Sequence, residues 1–319
     1  MPDIVVHAAF GRDVKQALPE EIRTKLADGP YTFELFGPDL WFMYQPWKRR
    51  EGRGRRMHTT RPGAFLMALA DRVKCSAAPE DLFSYLAGFL CHYALDSTAH
   101  PYVIHITEEK VRFPRGHMSF EHSLDVMELR RAGLEGKRHA VTENYFPRCR
   151  LPESIREDIN GVFKSVYGWD DCWSALNRSA GRHYLIYRVI ENPAGLYTRL
   201  TRLTKHPTLK SFSYAESHFN GTDVENNEKR EWTHSHDPSI SSAATFGDLR
   251  ADAQQLAVQL ITAAYRCLFT GETSRKELAE IIGNRSYLSG LDADDPRNRR
   301  FPSLLPPRDS DFPGGGETP

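Results

Sequence analysis

Two histidines of the sequence are each followed by a carboxylate at the fourth position, the spacing that puts both side chains on one face of a helix. His92 precedes Asp96, and His117 precedes Glu121. At this spacing a ring nitrogen and a carboxylate oxygen can reach the same metal ion. The chemistry that these residue types could do at this spacing is therefore the binding of a metal ion.

The spacing alone does not select these two pairs. Thirteen histidines in a chain of 319 residues with 42 acids would give about 1.7 such pairs by chance. Four pairs are present, because His105 precedes Glu109 and His139 precedes Glu143. These last two pairs stand among charged residues, which favours a surface position for them.

The sequence around the first two pairs separates them from the others. His92 and Asp96 end an uncharged apolar stretch, 82–95, that predicts a helix packed on all sides. A buried carboxylate costs several kcal/mol unless it is paired or coordinates a metal. A His–Asp hydrogen bond at a helix end is the alternative to a metal ligand. On the second predicted helix, His117, Glu121 and Asp125 form a polar stripe beside apolar positions, where bundle metal sites are built.

Four further residues could join these pairs. His7 lies on the first predicted helix, Asp39 follows a Gly-Pro turn, His58 follows a basic run, and His100 precedes Pro101. Each also has an ordinary interpretation, as a core histidine, a turn residue or a loop histidine.

The elements that must position these residues are mainly helices, since helical periods recur and period-2 alternation is rare. We therefore predict an all-α fold, a single multi-helix bundle domain over 1–290, with a disordered tail at 291–319 that is dense in Pro and Gly. The predicted helices cover about 4–15, 79–96, 117–131, 153–166, 170–190, 194–205 and 245–269, with a capping box at Ser274 and Glu277 for a last helix ending at Gly283. A second helix near Glu20 is expected to end at Gly29-Pro30, and 206–240 to form a long surface loop.

Charge and composition limit the classes of partner. Lys plus Arg and Asp plus Glu both number 42, so the zero net charge does not support binding of duplex nucleic acid. The longest uncharged apolar stretch has 14 residues, fewer than the ~20 that a spanning helix needs. The N-terminus lacks the features of a secretory signal, and the five scattered cysteines indicate no disulfide framework. We therefore expect a cytoplasmic protein.

A basic run, 48–56, follows an aromatic group made of Trp41, Phe42, Tyr44 and Trp47. The run is typical of a solvated flexible loop, with phosphate binding as the alternative. Base stacking by the aromatic group is the alternative to packing in the core.

The stretch 92–101, His-Tyr-Ala-Leu-Asp-Ser-Thr-Ala-His-Pro, resembles the signature of the zinc-dependent phospholipase C family, whose fold is shared in outline by the S1/P1 nucleases. The opening 2–7 and the segments 36–39 and 56–58 resemble the intracellular bacterial branch of this family. The likeness covers about residues 1–130, and a weaker echo at 230–249 extends it to about 270.

The resemblance implies metal ligands in the order in which the family uses them. Asp39, His58, His92 and Asp96 would hold one zinc ion. His100, His117 and Glu121 would hold a second. His7, a bridging Asp96 and the amine of the N-terminus would hold a third.

The resulting hypothesis is a hydrolase that uses two or three Zn²⁺ ions to cleave a phosphodiester, either a small phosphoester or a phospholipid, with peripheral membrane contact left open. Asp39 is the candidate catalytic base that orients the attacking water. Two alternatives remain: a single-strand nuclease or nucleotidase of S1/P1 type on the same cluster, and a non-catalytic helical binding protein stabilised by metal. An HD-type phosphohydrolase is disfavoured because the adjacent pair His236-Asp237 precedes Pro238 in a predicted loop.

Overall fold

The computed structural model describes residues 4–44, 52–108, 117–191 and 223–300. Within these ranges the chain is an assembly of helices with a single two-stranded sheet, so the predicted all-α fold is confirmed. None of the helices in this part of the chain combines the length and apolar character that a membrane span requires.

The α-helices are α1 (Ile4–Ala17), α2 (Glu20–Arg23), α3 (Asp28–Glu34), α4 (Arg53–Thr59), α5 (Pro62–Val73), α6 (Pro79–Glu108), α7 (His117–Arg131), α8 (Ala140–Asn144), α9 (Arg156–Tyr167), α10 (Cys172–Ile190), α11 (Phe246–Tyr265) and α12 (Arg275–Ile282). Short 3₁₀ helices cover Gly37–Met43, Glu153–Ile155 and Pro296–Arg300, and a π-helical turn, Arg266–Thr270, extends α11. Strands β1 (Trp232–Thr233) and β2 (Ser241–Ser242) pair antiparallel.

Helix α6 is the centre of the fold. Its 30 residues are packed by α1, α3, α5, α7 and α11, and every residue from 82 to 97 is buried. A helix that is surrounded in this way needs apolar residues on all faces, which the stretch 82–95 supplies. The polar side chains that α6 carries among them are therefore held in a dry, rigid setting.

The prediction that this helix ends near Asp96 is wrong. Helix α6 continues through Pro101 to Glu108, so His100 is a helical residue and not a loop residue. Proline lacks the N–H that would bond to the carbonyl of Ser97, which normally breaks or kinks a helix. Here tertiary packing of the residues on both sides maintains the helix, and the chain at Gly290 comes close to the Ser97 carbonyl.

The prediction that Gly29-Pro30 ends a helix is also wrong. The chain makes the short helix α2 and then starts α3 at Asp28, with Gly29 and Pro30 in its first turn. Proline is tolerated at this position because N–H groups of the first turn have no partner within the helix.

The described half of the predicted loop 206–240 is more ordered than expected. Residues 223–240 include β1, and Val224, Glu225 and Asn226 are buried. Tyr102 of α6 donates from its hydroxyl to the Val224 carbonyl at 2.9 Å, which ties this segment to the central helix. Residues 206–222 lie outside the described residues, as does the predicted helix 194–205.

The described part of the basic run is helical and not a solvated loop. Arg53 starts α4, and its guanidinium carbon lies 4.9 Å, 4.6 Å and 4.9 Å from the ring centroids of Trp41, Tyr44 and Trp169. Trp41 is buried in the core. The rest of the run and Trp47 fall within 45–51, outside the described residues.

The C-terminal elements follow the sequence in part. The capping box is confirmed, since Ser274 accepts from the Glu277 amide and the Glu277 side chain accepts from the Ser274 amide. Residues 291–298 of the predicted tail return toward α12, with the Ala293 amide bonded to the Asn284 carbonyl. Residues 301–319 lie outside the described part of the chain.

Candidate metal centre

Helix α6 contributes three of the eight predicted ligands, His92, Asp96 and His100, at intervals of four residues. Each step of four residues turns the helix by about 40° beyond a full circle, so the three side chains form one gently curving row. Asp96 lies in the middle of that row and can contact partners on both sides. The row is the frame on which the other predicted ligands assemble.

The first group gathers on the side of His92. Nε2 of His92 lies 3.0 Å from Asp96 Oδ2 and 3.5 Å from Asp39 Oδ2. Nε2 of His58 lies 3.2 Å from Asp39 Oδ1 and 3.8 Å from Asp96 Oδ2. The 3₁₀ helix Gly37–Met43 supplies Asp39 and α4 supplies His58, so three elements meet at this point.

His7 approaches the same group from α1. Its Nε2 lies 3.2 Å from Asp96 Oδ1, the oxygen that does not face His92. The His7 and His92 rings stack with their centroids 4.2 Å apart. Asp96 therefore lies between His7 and the first group, in a position to bridge two ions.

The second group lies between α6 and α7. Oε1 of Glu121 is 2.9 Å from Nε2 of His117 and 3.3 Å from Nε2 of His100. The two histidine rings stack with centroids 5.4 Å apart. His100 also has its Nδ1 at 3.4 Å from Asp96 Oδ2, which joins the two groups. The structure thus brings all eight predicted residues into one cluster.

In each of three sets within this cluster the ligand atoms lie within 4.8 Å of one another, close enough to hold an ion, and two of the sets share His92. They are His7 with Asp39 and His92, His58 with His92 and Asp96, and His100 with His117 and Glu121. Imidazole nitrogen and carboxylate oxygen are the ligand types that zinc accepts.

Buried polar atoms without hydrogen-bond partners support this fit. They are Nδ1 of His7, both carboxylate oxygens of Asp39, Nε2 of His92, Oδ2 of Asp96 and Oε2 of Glu121. An unsatisfied buried polar group costs about 1–3 kcal/mol, and more when it is charged. Several such atoms around one point are compatible with cations, which would supply the missing partners.

Backbone carbonyls orient three of the histidine rings. Each accepts a hydrogen bond from Nδ1, which leaves Nε2 of the same ring directed at a carboxylate of the cluster. The pairs are His58 with the Gly54 carbonyl at 2.7 Å, His92 with the Leu35 carbonyl at 3.2 Å, and His100 with the Tyr287 carbonyl at 2.8 Å. Such bonds fix the tautomer and the direction of metal-binding histidines.

The cluster shifts the pKa values of its own members. Burial would raise the pKa of Asp96, but the charges of His100 and His92 hold it well below its ordinary value. Burial would likewise raise the pKa of Glu121, and His117 and His100 lower it. Burial opposes the charged form of His100, yet Asp96 and Glu121 raise its pKa to about 9. The carboxylates are therefore ionised at neutral pH, as metal coordination needs, and a bound cation would displace the second proton of His100.

Asp125 has a different role from the one its place in the polar stripe indicated. Its fully buried Oδ1 accepts from the amides of Val5 and Val6 at 2.8 Å and 3.0 Å. These amides lie in the first turn of α1, where N–H groups lack partners within the helix. Asp125 thus fixes the start of the helix that carries His7, and it joins α1 to the helix that carries Glu121.

Two residues near the cluster could not be identified from the sequence. His183 of α10 is buried next to the 3₁₀ helix that carries Asp39, and Tyr287 reaches the cluster from the far end of the chain. Only tertiary structure brings these residues to the site, because neither belongs to a recognisable spacing.

A family model described as zinc dependent phospholipase C matches residues 6–172, which include all eight residues of the cluster. Neither the curated proteins nor the solved structures contain a match. The family match, the helical fold and the His and Asp groups agree with one another. The chain belongs to the zinc-dependent phospholipase C family.

Proposed function

We propose that the protein is a zinc-dependent phosphoric ester hydrolase that cleaves a phosphodiester in the manner of a phospholipase C. The observation that carries the proposal is the convergence of eight side chains on one cluster that is buried except at His117 and has unsatisfied ligand atoms: His7, Asp39, His58, His92, Asp96, His100, His117 and Glu121. The family match supports the same reaction class.

The geometry supports two or three ions. The set with His58, His92 and Asp96, to which Asp39 belongs by its contact with His58, would hold one, and the set with His100, His117 and Glu121 would hold another. A third would use His7 and Asp96, with the N-terminal amine as the further ligand predicted from the family. Residues 1–3 lie outside the described chain, so that last ligand stays a prediction.

Zinc in these sets supplies positive charge for the phosphate oxygens and lowers the pKa of a coordinated water. The chain itself supplies the base. Asp39 has two buried oxygens without hydrogen-bond partners, so one can face an ion while the other orients a water and accepts its proton. The zero net charge of the chain is compatible with an anionic substrate, because the charge that binds it is local.

The substrate would approach from the side of His117. The His117 side chain keeps 36% of its surface exposed, whereas the other seven side chains of the cluster keep 7% or less. A phosphodiester headgroup could reach the cluster from this side, with a lipid portion remaining outside. Peripheral contact with a membrane and a cytoplasmic location both stay predictions.

The nuclease alternative loses part of its support. Trp41 is buried at 2% exposure and packs against Phe163, so it offers no face for stacking a base. Arg53 packs its guanidinium on the rings of Trp41, Tyr44 and Trp169, so this group is engaged within the protein. Cleavage of single-stranded nucleic acid is therefore kept only as one result that the substrate panel can reveal.

The test combines metal analysis with a substrate panel: phosphatidylcholine micelles, a small chromogenic phosphodiester, a phosphomonoester and single-stranded DNA. We expect zinc in the purified protein and hydrolysis of a phosphodiester. His92→Ala should lose both zinc and activity, while His105→Ala, on the same helix but outside the cluster, should retain them. Full activity of a metal-free His92→Ala protein would refute the proposal. Bound zinc without turnover on any substrate would favour the non-catalytic alternative.

A further inference from the structure

The segment 283–290, which follows α12, lies against the candidate metal centre although it is far from it in sequence. The Tyr93 hydroxyl on α6 donates to the Ile282 carbonyl at 2.9 Å and accepts from the Arg285 amide at 2.8 Å. Tyr93 is the neighbour of His92, so the start of the segment is attached beside a proposed ligand.

Tyr287, in the middle of this segment, touches three proposed ligands. Its ring is 1% exposed, with its centroid 5.4 Å from that of His58 and 5.8 Å from that of His92. Its carbonyl accepts the hydrogen bond from His100 Nδ1 at 2.8 Å. One residue of the segment therefore covers the first group and also orients a member of the second.

The Tyr287 carbonyl sets the orientation of the His100 ring. Nδ1 of His100 lies 2.8 Å from the Tyr287 oxygen and 3.4 Å from Asp96 Oδ2, so the carbonyl is the closer acceptor. With Nδ1 held there, Nε2 faces Glu121 at 3.3 Å. Without the carbonyl, the Nδ1 proton would turn to Asp96 and occupy an oxygen that the first group uses.

Gly290 allows the segment to come this close. Its φ is +68°, and a Cβ placed on it would lie 2.3 Å from the Ser97 carbonyl oxygen. This is the carbonyl of α6 that Pro101 leaves without a helical donor. A side chain at this position would push the segment away from α6, and the Tyr287 carbonyl would move with it.

We propose that the segment 283–290 is a positioning element for the metal centre, in which Tyr287 and Gly290 hold His100 in the orientation that binds the second ion. The segment lies beyond residues 6–172, the part matched by the family model. The inference rests on the proposed zinc site, and it assigns part of that site's affinity to the C-terminal third of the chain.

The first test compares two tyrosines of the same helix in the full-length zinc-loaded protein. Tyr93→Phe removes the hydroxyl that attaches the segment, whereas Tyr102→Phe removes one that bonds to Val224 elsewhere. In a chelator competition, Tyr93→Phe should weaken binding of the second zinc ion by up to the ~10- to 100-fold that losing the Tyr287 carbonyl behind His100 would cause. Tyr102→Phe should bind zinc as the wild type does. Equal affinities in the two variants would overturn the proposal.

A second comparison uses two glycines with left-handed backbones. Gly290→Ala introduces the contact with Ser97, whereas Gly133→Ala, at φ +66°, places its Cβ in open space. Only Gly290→Ala should weaken binding of the second zinc ion and change the visible spectrum of the cobalt-substituted protein. Unchanged spectrum and affinity in a folded Gly290→Ala protein would contradict the role. If Gly290→Ala does not fold, the tyrosine comparison decides.

These outcomes separate the inference from the proposed function. A wild type that binds zinc but hydrolyses nothing, with Tyr93→Phe still weakened, would reject the hydrolase and retain the positioning role. An active wild type whose Tyr93→Phe and Tyr102→Phe variants bind zinc equally would retain the hydrolase and reject the positioning role. A wild type that binds no zinc would reject both.

Discussion

At the scale of single residues, the buried histidines have different partners. Those of the cluster face carboxylates, whereas Nδ1 of His183 donates to the Ser179 carbonyl at 3.2 Å, one turn earlier in α10. Burial lowers the pKa of His183 to about 4. This histidine is therefore neutral at neutral pH, and its burial is tolerated for that reason.

His183 should make the protein sensitive to acid. In the unfolded chain the pKa of a histidine is about 6.5. The contribution of His183 to folding stability is therefore complete above that pH and is lost as the pH falls toward 4. The loss amounts to up to about 3 kcal/mol. Urea unfolding of the wild type and of His183→Gln at about pH 7.5 and about pH 4.5 measures it. The wild type should lose more stability than the variant, and parallel losses would contradict the assignment.

At the scale of elements, the turn that opens the 3₁₀ helix Gly37–Met43 determines how closely Asp39 approaches α6. Gly37 has φ +45°, and a Cβ there would lie 2.6 Å from Cγ of His92. The absence of a side chain at this position is what allows the turn to contact the His92 ring.

Gly37→Ala should therefore damage the site as well as the fold. The left-handed backbone costs about 1–2 kcal/mol with a side chain, and displacement of the His92 ring should weaken zinc binding by about tenfold or more. The matched control is Gly29→Ala in α3, whose Cβ would meet nothing within 4 Å. Calorimetry with zinc measures both effects. Wild-type affinity in Gly37→Ala would show that the turn does not constrain His92.

Helix α4 is held in place by its first residue. Arg53 packs its guanidinium on three aromatic rings and donates to Cys172 Sγ at 3.5 Å. His58 lies in the last turn of the same helix, so the docking of Arg53 also positions a proposed ligand.

Replacing Arg53 by Ala should destabilise the protein by about 2 kcal/mol, through lost cation–π contact and packing, and should weaken zinc binding. Arg53→Lys should be intermediate, since it keeps the charge but not the planar group that stacks on rings. Urea unfolding and chelator titration of the wild type, Arg53→Ala and Arg53→Lys measure their order in stability and in zinc affinity. A Lys variant no better than the Ala variant would indicate that the charge contributes nothing.

At the scale of the whole molecule, α1, α4, α7 and the 3₁₀ helix Gly37–Met43 meet α6 around one cluster of ionisable groups. Ions bound only by the folded state stabilise it by about 4 kcal/mol when their concentration is a thousand times the dissociation constant. The midpoint of thermal unfolding should rise by several degrees with added zinc and fall with a chelator. A midpoint independent of zinc would argue that the cluster does not bind it.

The sequence predicted the helices where the local signals were complete. The bounds of α7 follow from its stop at two glycines, and α12 follows from its capping box. Prediction failed at Pro101 and at Gly29-Pro30, where local rules indicate a break but tertiary packing or first-turn geometry allows a helix. His183 and Tyr287 could not be assigned from sequence, because their neighbours come from distant parts of the chain.

The candidate ligands were found by their order along the chain and by resemblance to a family, while spacing alone was too common to identify them. The structure adds what order cannot give: the position of Asp96 between two groups and the distances that link them. It also shows that Asp125, which the sequence placed in a stripe of possible ligands, instead accepts hydrogen bonds from the start of α1.

The row of three ligands on α6 has a consequence for how the chain can change in length. Inserting or deleting one residue between His92 and His100 would rotate the later part of the helix by about 100° relative to the earlier part. The ligands before and after the altered position would then point in different directions, so they could no longer contribute to one cluster. A change in a connecting loop could not compensate for this rotation. Insertions in the connections between helices carry no such penalty, so variation in length should be confined to those connections.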